Sequence, residues 1–329
     1  MSKKIMNQPE NCVSEALAGF LSAHPEYVQV EDASAIRVRD LKEKTAMIVG
    51  GGSGHEPMFG YFVGQGLADA SVIGNVFTSP DPGSIFKAAM EVNQGKGILF
   101  VYGNYSGDNM NFDIAAEMLD DMGIATKTVR GWDDVASASK ENYQDRRGIA
   151  GIVPVIKIAG AASAKLSLEE AYRVACKARD NVYSIGFGLS GATIPGEKNP
   201  IFTLGDDEME YGLGIHGEPG VRRVKLQSAD VIVEELVDKI LEDSGIQAGD
   251  TVCTLVNGLG ATPLLELYIM NRKLAEVLAA KGIHVHDMDV GTYVTSLEMA
   301  GASVTLMKMD EELLSYYDMP CRSPHFKRG

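Results

Sequence analysis

The 329-residue sequence lacks any apolar run long enough to cross a membrane, and its first residues, Met1-Ser-Lys-Lys-Ile, lack the hydrophobic core of a signal peptide. Cysteine is also scarce. The four cysteines are scattered, and none forms a C-x-x-C pair, which argues against a disulfide framework or a cysteine zinc site. We therefore expect a cytoplasmic protein with reduced thiols and no membrane association.

Clusters of basic residues are few. The chain has 30 Lys and Arg against 45 Asp and Glu, a formal charge of −15, whereas a nucleic-acid surface needs grouped cations to neutralise phosphates. No nucleic-acid partner is expected. His284 and His286 lie two apart in a strand-like segment, but no acidic or cysteine partner follows at suitable spacing, so no metal site is predicted.

Nucleotide-binding loops are missing as well. A Walker A loop ends in Gly-Lys-Ser/Thr, whereas the main glycine-rich loop of this chain ends in Gly54-His55-Glu56. The spacing G-x-G-x-x-G occurs at 186–191 and at 212–217, but Pro-Gly pairs follow both stretches where a dinucleotide fold needs a helix. A dinucleotide oxidoreductase is therefore a disfavoured alternative, and no cofactor is expected on this chain.

The most informative stretch runs from Ala46 to Pro57. Ala46 to Val49 is apolar and suits a buried strand, and four glycines then occur within five positions, at 50, 51, 52 and 54. Such glycines permit positive φ and close approach to a ligand, and the N–H groups around Ser53 could converge on an oxyanion or hydroxyl. A tight turn is the alternative interpretation of the glycines. The histidine that follows, His55, favours a site.

A second strand, 97–102, also ends in a polar glycine-bearing loop, Gly103 to Asp108, and a helix is predicted from Met110 to Met122. The carboxyl ends of parallel strands share one edge of a sheet. We therefore expect Asp108 to lie near His55.

The last third again alternates helices and strands, so the fold class is predicted as α/β. We expect two α/β domains, 1–185 and 186–329, each with a largely parallel or mixed sheet flanked by helices. The second domain carries His216 between Gly214 and Gly217, and these glycines predict an accessible imidazole ring.

Four motifs together resemble one family. They are Gly50-Gly-Gly-Ser-Gly-His-Glu-Pro57, Phe77-Thr-Ser-Pro80, Asn104-Tyr-Ser-Gly-Asp-Asn-Met-Asn-Phe112 and Gly212-Leu-Gly-Ile-His-Gly-Glu-Pro-Gly220. In this order they resemble the substrate-binding K subunit of dihydroxyacetone kinases, over essentially the whole chain.

The resemblance implies a homodimer in which His216 adds to the ketone carbonyl as a hemiaminal. It further implies that Gly52, Ser53, Gly54 and His55 contact the ketone, and that His55 and Asp108 handle protons. Adenine nucleotide and Mg²⁺ would be bound by a separate L subunit, which takes its phosphate from ATP or from a phosphotransferase-system protein.

One position departs from the family pattern. Gly103 stands where many relatives carry a lysine, so a related ketose such as erythrulose is an alternative substrate. A ketone-sensing transcriptional coactivator is an alternative function. The chain ends at Gly329 without an L domain, so we expect a kinase subunit that is active only with its partner subunits. The choice between His55 and Asp108 as the main base stays open, as does the phosphoryl donor.

Overall fold

The computed structural model describes residues 3–329, which form two compact units that are discontinuous in sequence. The first unit contains the described residues up to Arg130, Pro154–Ala178 and Leu313–Gly329, and the second contains Gly131–Val153 and Arg179–Glu312. This division differs from the predicted domains 1–185 and 186–329.

The difference arises from long-range contacts that periodicity does not reveal. Gln65 forms a β-bridge with Arg322, so the C-terminal segment returns to the first unit. The buried Lys157 ammonium donates to the carbonyl of Tyr316 at 3.3 Å and also to that of Met319. The chain therefore enters and leaves the first unit more than once.

The helices of the described chain, in order, are α1 Cys12–Ala23, α2 Pro82–Val92, α3 Ser106–Asp121, α4 Ile152–Ser163, α5 Leu168–Asp180, α6 Ala229–Ser244, α7 Leu264–Ala280 and α8 Glu311–Tyr317, with short 3-10 helices at Pro9–Asn11 and Lys140–Asp145. The strands are β1 Tyr27–Gln29, β2 Ala35–Val38, β3 Ala46–Ser53, β4 Ala70–Val76, β5 Ile98–Gly103, β6 Thr126–Gly131, β7 Val182–Ser190, β8 Glu208–Tyr211, β9 Arg222–Lys225, β10 Thr251–Gly258, β11 His284–Gly291, β12 Ala300–Met309, β13 Cys321–Arg322 and β14 Lys327–Arg328.

The first unit is built on a six-stranded mixed sheet of order β1-β2-β4-β3-β5-β6. The central strand β3 pairs in parallel with β4 on one side and with β5 on the other, whereas β1, β2 and β4 pair antiparallel. All residues of β5 are buried, as its continuous apolar sequence predicted. Ile48, Phe100 and Phe112 belong to the core that this sheet shares with its helices.

The second unit contains another six-stranded sheet, of order β11-β10-β12-β7-β8-β9. Strands β10 and β11 are parallel and are joined by α7, a βαβ connection, while the remaining pairs are antiparallel. Val237, Val256 and Leu274 lie in the core on which α6 and α7 pack. Both sheets are mixed and flanked by helices, which confirms the predicted α/β class.

Local sequence explains where several helices begin and end. Asp81 caps α2 because its side chain accepts a hydrogen bond from the Ser84 amide at 2.9 Å, and Pro82 occupies the first turn. Gly245 ends α6 in the left-handed region at φ 70°. Residues 59–64 form turns with buried Phe59 and Phe62, and Val63 bridges Ala68.

Within residues 3–329, no helix combines the length and the apolar character required to span a bilayer.

Candidate functional site

Three loops of the first unit open on one edge of its sheet. Strands β3, β4 and β5 run in parallel, so their carboxyl ends, at Ser53, Val76 and Gly103, lie at the same edge. The loop after β3 carries Gly54 and His55, and helix α3 carries Asp108 just beyond β5. The structure therefore brings the site residues predicted from the first and third motifs to one edge of the sheet.

The glycine cluster has a different role from the one predicted. Strand β3 continues through Gly50 to Gly52, and of the four glycines only Gly54 has a positive φ, 98°. A Cβ at Gly51 would lie 2.5 Å from Cδ2 of Phe59, and one at Gly52 would lie 2.7 Å from the Thr78 nitrogen. These strand positions are glycine because neighbouring residues occupy the space of a side chain.

Ser53 and His55 are both buried. The Ser53 hydroxyl donates to the Gly74 carbonyl at 2.8 Å, and the Ser53 carbonyl accepts from the Phe77 amide at 2.9 Å. His55 is 2% exposed and stacks on Phe77 with ring centroids 5.1 Å apart. These contacts join the end of β3 to the loop after β4 and fix the orientation of the imidazole.

The loop after β3 also contains a carboxylate that binds its own backbone. The Gly54 amide donates to Oε2 of Glu56 at 2.9 Å. The N–H group that was expected to bind an oxyanion from the substrate therefore already binds the carboxylate of Glu56.

Asp108 lies in the first turn of α3, which begins at Ser106 rather than at the predicted Met110. An ionised carboxylate is favoured there by the N–H groups and the dipole at the start of a helix. Burial raises the pKa of Tyr102 to about 12, and the charge of Asp108 adds to that increase, against the opposing effect of Arg130. Gly103 is buried at the end of β5, where its carbonyl accepts from the Tyr105 amide at 2.9 Å.

In the second unit, His216 lies on a tight turn after β8. The Gly217 amide donates to the Gly214 carbonyl and the Gly214 amide to the Glu218 carbonyl, both at 3.1 Å. The imidazole side chain is 25% exposed, so the ring is less accessible than its glycine neighbours predicted. Gly214 instead makes room for charged groups, because a Cβ there would lie 2.0 Å from Oε2 of Glu218 and 2.4 Å from Nη1 of Arg147.

Glu218 is a neighbour of His216 that the sequence analysis did not single out. Its Oε1 lies 3.0 Å from Nδ1 of His216, and its Oε2 accepts from the His216 amide, also at 3.0 Å. Burial opposes ionisation of Glu218, but its contacts with His216 and the charge of Arg147 lower its pKa to about 2. Since the carboxylate can only accept, Nδ1 donates to it and the ring lone pair lies on Nε2.

A signal for Glu218 was present in the sequence. The segments 54–57 and 214–220 both place a glutamate before a proline and near a histidine, and in both the glutamate accepts from the amide two residues earlier. The shared pattern therefore has a shared local hydrogen bond. It gave no indication of Arg147, which reaches this turn from a different segment of the chain.

The two G-x-G-x-x-G stretches have no dinucleotide geometry. The first lies in β7 and its immediate end, and the second forms the turn of His216. Neither opens a helix, which such a site requires.

A family model described as the Dak1 domain matches residues 18–325. The chain belongs to the Dak1 family. This Dak1 chain is 44% identical over 330 residues to "PTS-dependent dihydroxyacetone kinase 2, dihydroxyacetone-binding subunit DhaK" of Listeria innocua, covering 99% of each protein. The predicted family and the predicted enzyme class, a phosphotransferase, are thereby confirmed.

Two further relatives bear on the alternative functions. The "L-erythrulose 1-kinase" of Mycolicibacterium smegmatis is 39% identical, with 99% of this chain and 58% of that protein covered. The solved structure of "Dihydroxyacetone kinase operon co-activator Dha-DhaQ" superimposes with a TM-score of 0.88 at 32% identity, covering 93% of this chain and 96% of that one. The Dak1 fold therefore occurs in both kinases and a coactivator.

Proposed function

We propose that this chain is the ketose-binding subunit of a dihydroxyacetone kinase and that His216 captures the ketone covalently. The observation that carries the proposal is the hydrogen bond between Nδ1 of His216 and the ionised carboxylate of Glu218. That bond leaves the ring lone pair on Nε2, and a neutral imidazole is a competent nucleophile at neutral pH.

The capture step is an addition without a leaving group. The Nε2 lone pair forms a bond to the carbonyl carbon, and the π electrons of the C=O bond move to its oxygen, which takes up one proton. The positive charge that develops on the ring lies beside Glu218, and loss of the Nδ1 proton completes the neutral hemiaminal. Only a carbonyl compound can react in this way, so glycerol is excluded by its chemistry.

The first unit supplies the groups that handle protons in this proposal. Asp108 is partly exposed in the first turn of α3, whereas His55 is buried and held against Phe77. We assign the role of general base for the terminal hydroxyl to Asp108, and a supporting role in proton transfer to His55. Ser53, the surrounding Gly52 and Gly54, and Gly103 complete the predicted ketose contacts.

The phosphoryl group comes from a second protein in this proposal. The relative from Listeria is named a PTS-dependent, dihydroxyacetone-binding subunit. We infer that a separate L subunit holds the adenine nucleotide and Mg²⁺ and that a phosphotransferase-system protein recharges it. We further propose that the Dak1 chain acts as a homodimer.

A second substrate is supported by Gly103. A glycine at the end of β5 offers only backbone groups where many relatives have a lysine, and a relative at 39% identity is named an erythrulose kinase. Erythrulose has one carbon more than dihydroxyacetone, and we infer that a position without a side chain accommodates the additional CH(OH) group. The ratio of kcat/KM for L-erythrulose and dihydroxyacetone measures this preference.

Carbon-13 NMR tests the capture directly. Dihydroxyacetone labelled at its carbonyl carbon is added to the purified protein, and we expect the ketone signal to move to the region of a carbon bonded to both oxygen and nitrogen. His216→Ala should lose that signal, whereas His284→Ala on β11 should keep it. An adduct that persists in His216→Ala would refute the proposal.

Turnover tests the assignment of the base and separates a kinase from a coactivator. With a cognate L subunit, ATP and Mg²⁺, wild type should form dihydroxyacetone phosphate, and Asp108→Asn should retain capture but lose about 10² to 10⁴ fold in rate. Undiminished turnover of that variant would move the base to His55. Capture without turnover by wild type, with every cognate L subunit supplied, would favour the coactivator.

A further inference from the structure

A chain of alternating charges extends from His216 into the second unit. The chain begins with the contact of Glu218 and His216 at 3.0 Å and continues with Nη1 of Arg147, which lies 3.8 Å from Oε2 of Glu218. Nε and Nη2 of Arg147 then donate to Oδ2 of Asp134 at 3.0 and 2.7 Å. Imidazole, carboxylate, guanidinium and carboxylate therefore follow in sequence.

Arg147 holds both ends of the turn that carries His216. Besides its contact with Glu218 at the end of the turn, its Nη2 donates to the Gly212 carbonyl at the beginning, at 3.0 Å. The Arg147 side chain is 15% exposed, so these contacts are mostly screened from water. One guanidinium thus fixes the backbone and the carboxylate on either side of the imidazole.

Asp134 anchors Arg147 to the sheet. Its side chain is 1% exposed and also accepts from the Ala136 amide at 3.1 Å, and its backbone forms a bridge with Ser184 in β7. Burial raises the pKa of Asp134 to about 6, and the charge of Arg147 acts against that increase. The anchor is therefore a buried carboxylate that holds Arg147 through two hydrogen bonds and is itself held by the Ala136 amide.

We propose that Asp134 and Arg147 are positioning residues that keep Glu218 on Nδ1 of His216 and so direct the Nε2 lone pair toward the ketone. This inference rests on the proposed capture by His216. Glu218 is 33% exposed, and without Arg147 its side chain has other rotamers in reach of water. When Nε2 adds to a carbonyl, the ring becomes cationic. The charges of the His216 ring, Glu218, Arg147 and Asp134 then alternate along the chain and sum to zero.

The expected consequence is a specific loss of capture without loss of the fold. Arg147→Gln and Asp134→Asn should each weaken the equilibrium for ketone capture roughly tenfold, the size expected when one charge-assisted hydrogen bond is lost. With the L subunit present, KM for the ketose should rise more than kcat falls. Arg147→Lys should restore part of the affinity, since it keeps the charge but loses the paired contact with Asp134.

Nitrogen-15 NMR of the histidine ring provides a readout that a merely structural role would not change. In ligand-free wild type, we expect the ring of His216 to carry its proton on Nδ1. In Arg147→Gln and in Glu218→Gln, we expect a larger population of the tautomer that is protonated on Nε2. Arg272→Gln is the matched control, because it removes an arginine that pairs with Asp230 and Glu276 on the surface of the same unit. That variant should change neither tautomer nor capture.

The possible outcomes separate this inference from the proposed function. Absence of any ketone adduct on wild type would refute the proposed capture by His216. The tautomer of His216 is measured without ketone, so it tests the positioning role independently of the capture. A wild-type His216 protonated on Nε2 would overturn the positioning role even if the variants fail to fold. Folded Arg147→Gln with wild-type tautomer and capture would overturn it as well.

Discussion

Replacement of Gly214 by alanine tests the packing around His216 with one methyl group. The Cβ would lie 2.0 Å from Oε2 of Glu218 and 2.4 Å from Nη1 of Arg147, whereas ordinary contacts begin at 3.4 Å. Both charged groups must therefore retreat by about 1 Å or more. A hydrogen bond of 3.0 Å between Glu218 and His216 does not survive such a displacement.

The effect on function should exceed the effect on stability. Loss of a charge-assisted hydrogen bond costs about 1.5 to 3 kcal/mol, or roughly 10 to 150 fold in the capture equilibrium. The atoms that clash are the ends of flexible side chains, and Gly214 does not have a positive φ. Alanine there also reduces the entropy of the unfolded chain by about 0.4 to 1 kcal/mol. We therefore expect the free energy of unfolding to change by less than about 2 kcal/mol.

The assay combines a titration with labelled dihydroxyacetone, followed by carbon-13 NMR, and urea unfolding of the same samples. Gly19→Ala in α1 is the control, since a Cβ at Gly19 has nothing within 4 Å. That variant should capture the ketone like wild type and gain up to about 1 kcal/mol in stability. Wild-type capture by a folded Gly214→Ala would refute the role assigned to Glu218.

Three further predictions concern stability. Arg146→Met should lower the free energy of unfolding in urea by about 3 to 5 kcal/mol, because the Asp243 carboxylate, which is 10% exposed and accepts from Arg146 at 2.8 and 2.6 Å, loses its partner. A decrease below about 1 kcal/mol would contradict this expectation. The double variant Arg146→Met/Asp243→Asn should recover part of the lost stability. Since the pKa of Glu218 is lowered from 4.5 to about 2 in the folded protein, its stabilising contribution should be complete above pH 4.5 and lost as the pH falls through 2. Urea unfolding of wild type and Glu218→Gln across this range should show the difference between them shrinking at low pH, and a difference that grows would have the wrong sign. Gly51→Ala should lower the free energy of unfolding by about 1 to 3 kcal/mol through overpacking, because its Cβ would lie 2.5 Å from Cδ2 of the buried Phe59. If calorimetry finds no loss of stability, Phe59 can move away from the added methyl group.

The sequence predicted the strands, and the common edge at which the parallel strands end, better than it predicted why glycines occupy the end of β3. Continuous apolar runs identified β3 and β5, because only a strand buried on both faces tolerates such a run. Gly50 to Gly52 suggested a loop, since glycine usually marks a turn. In the structure these residues extend β3, and the side chains that require them, Phe59 among them, are placed by tertiary packing.

The histidines were predicted from their motifs, but the groups that control them were not. A neighbour such as Glu218 is visible in the sequence, although its hydrogen bond to Nδ1 depends on the shape of the turn. Arg147 and Asp134 come from a segment that precedes β7 and that reads only as polar and charged. Long-range ion pairs of this kind leave no periodic signal in a single sequence.

The return of the C-terminal segment to the first unit has a consequence for biosynthesis. Residues 313–329 belong to that unit, through the bridge of Gln65 with Arg322 and the contacts of the buried Lys157 ammonium. The ribosome adds these residues only after every residue of the second unit has been made. The first unit must therefore wait, without its last segment, for almost the whole period of translation, while the second unit can already close. In the cell, chaperones that bind nascent chains should contact mainly the first unit, and early termination after residue 312 should destabilise the unit whose sheet is encoded first.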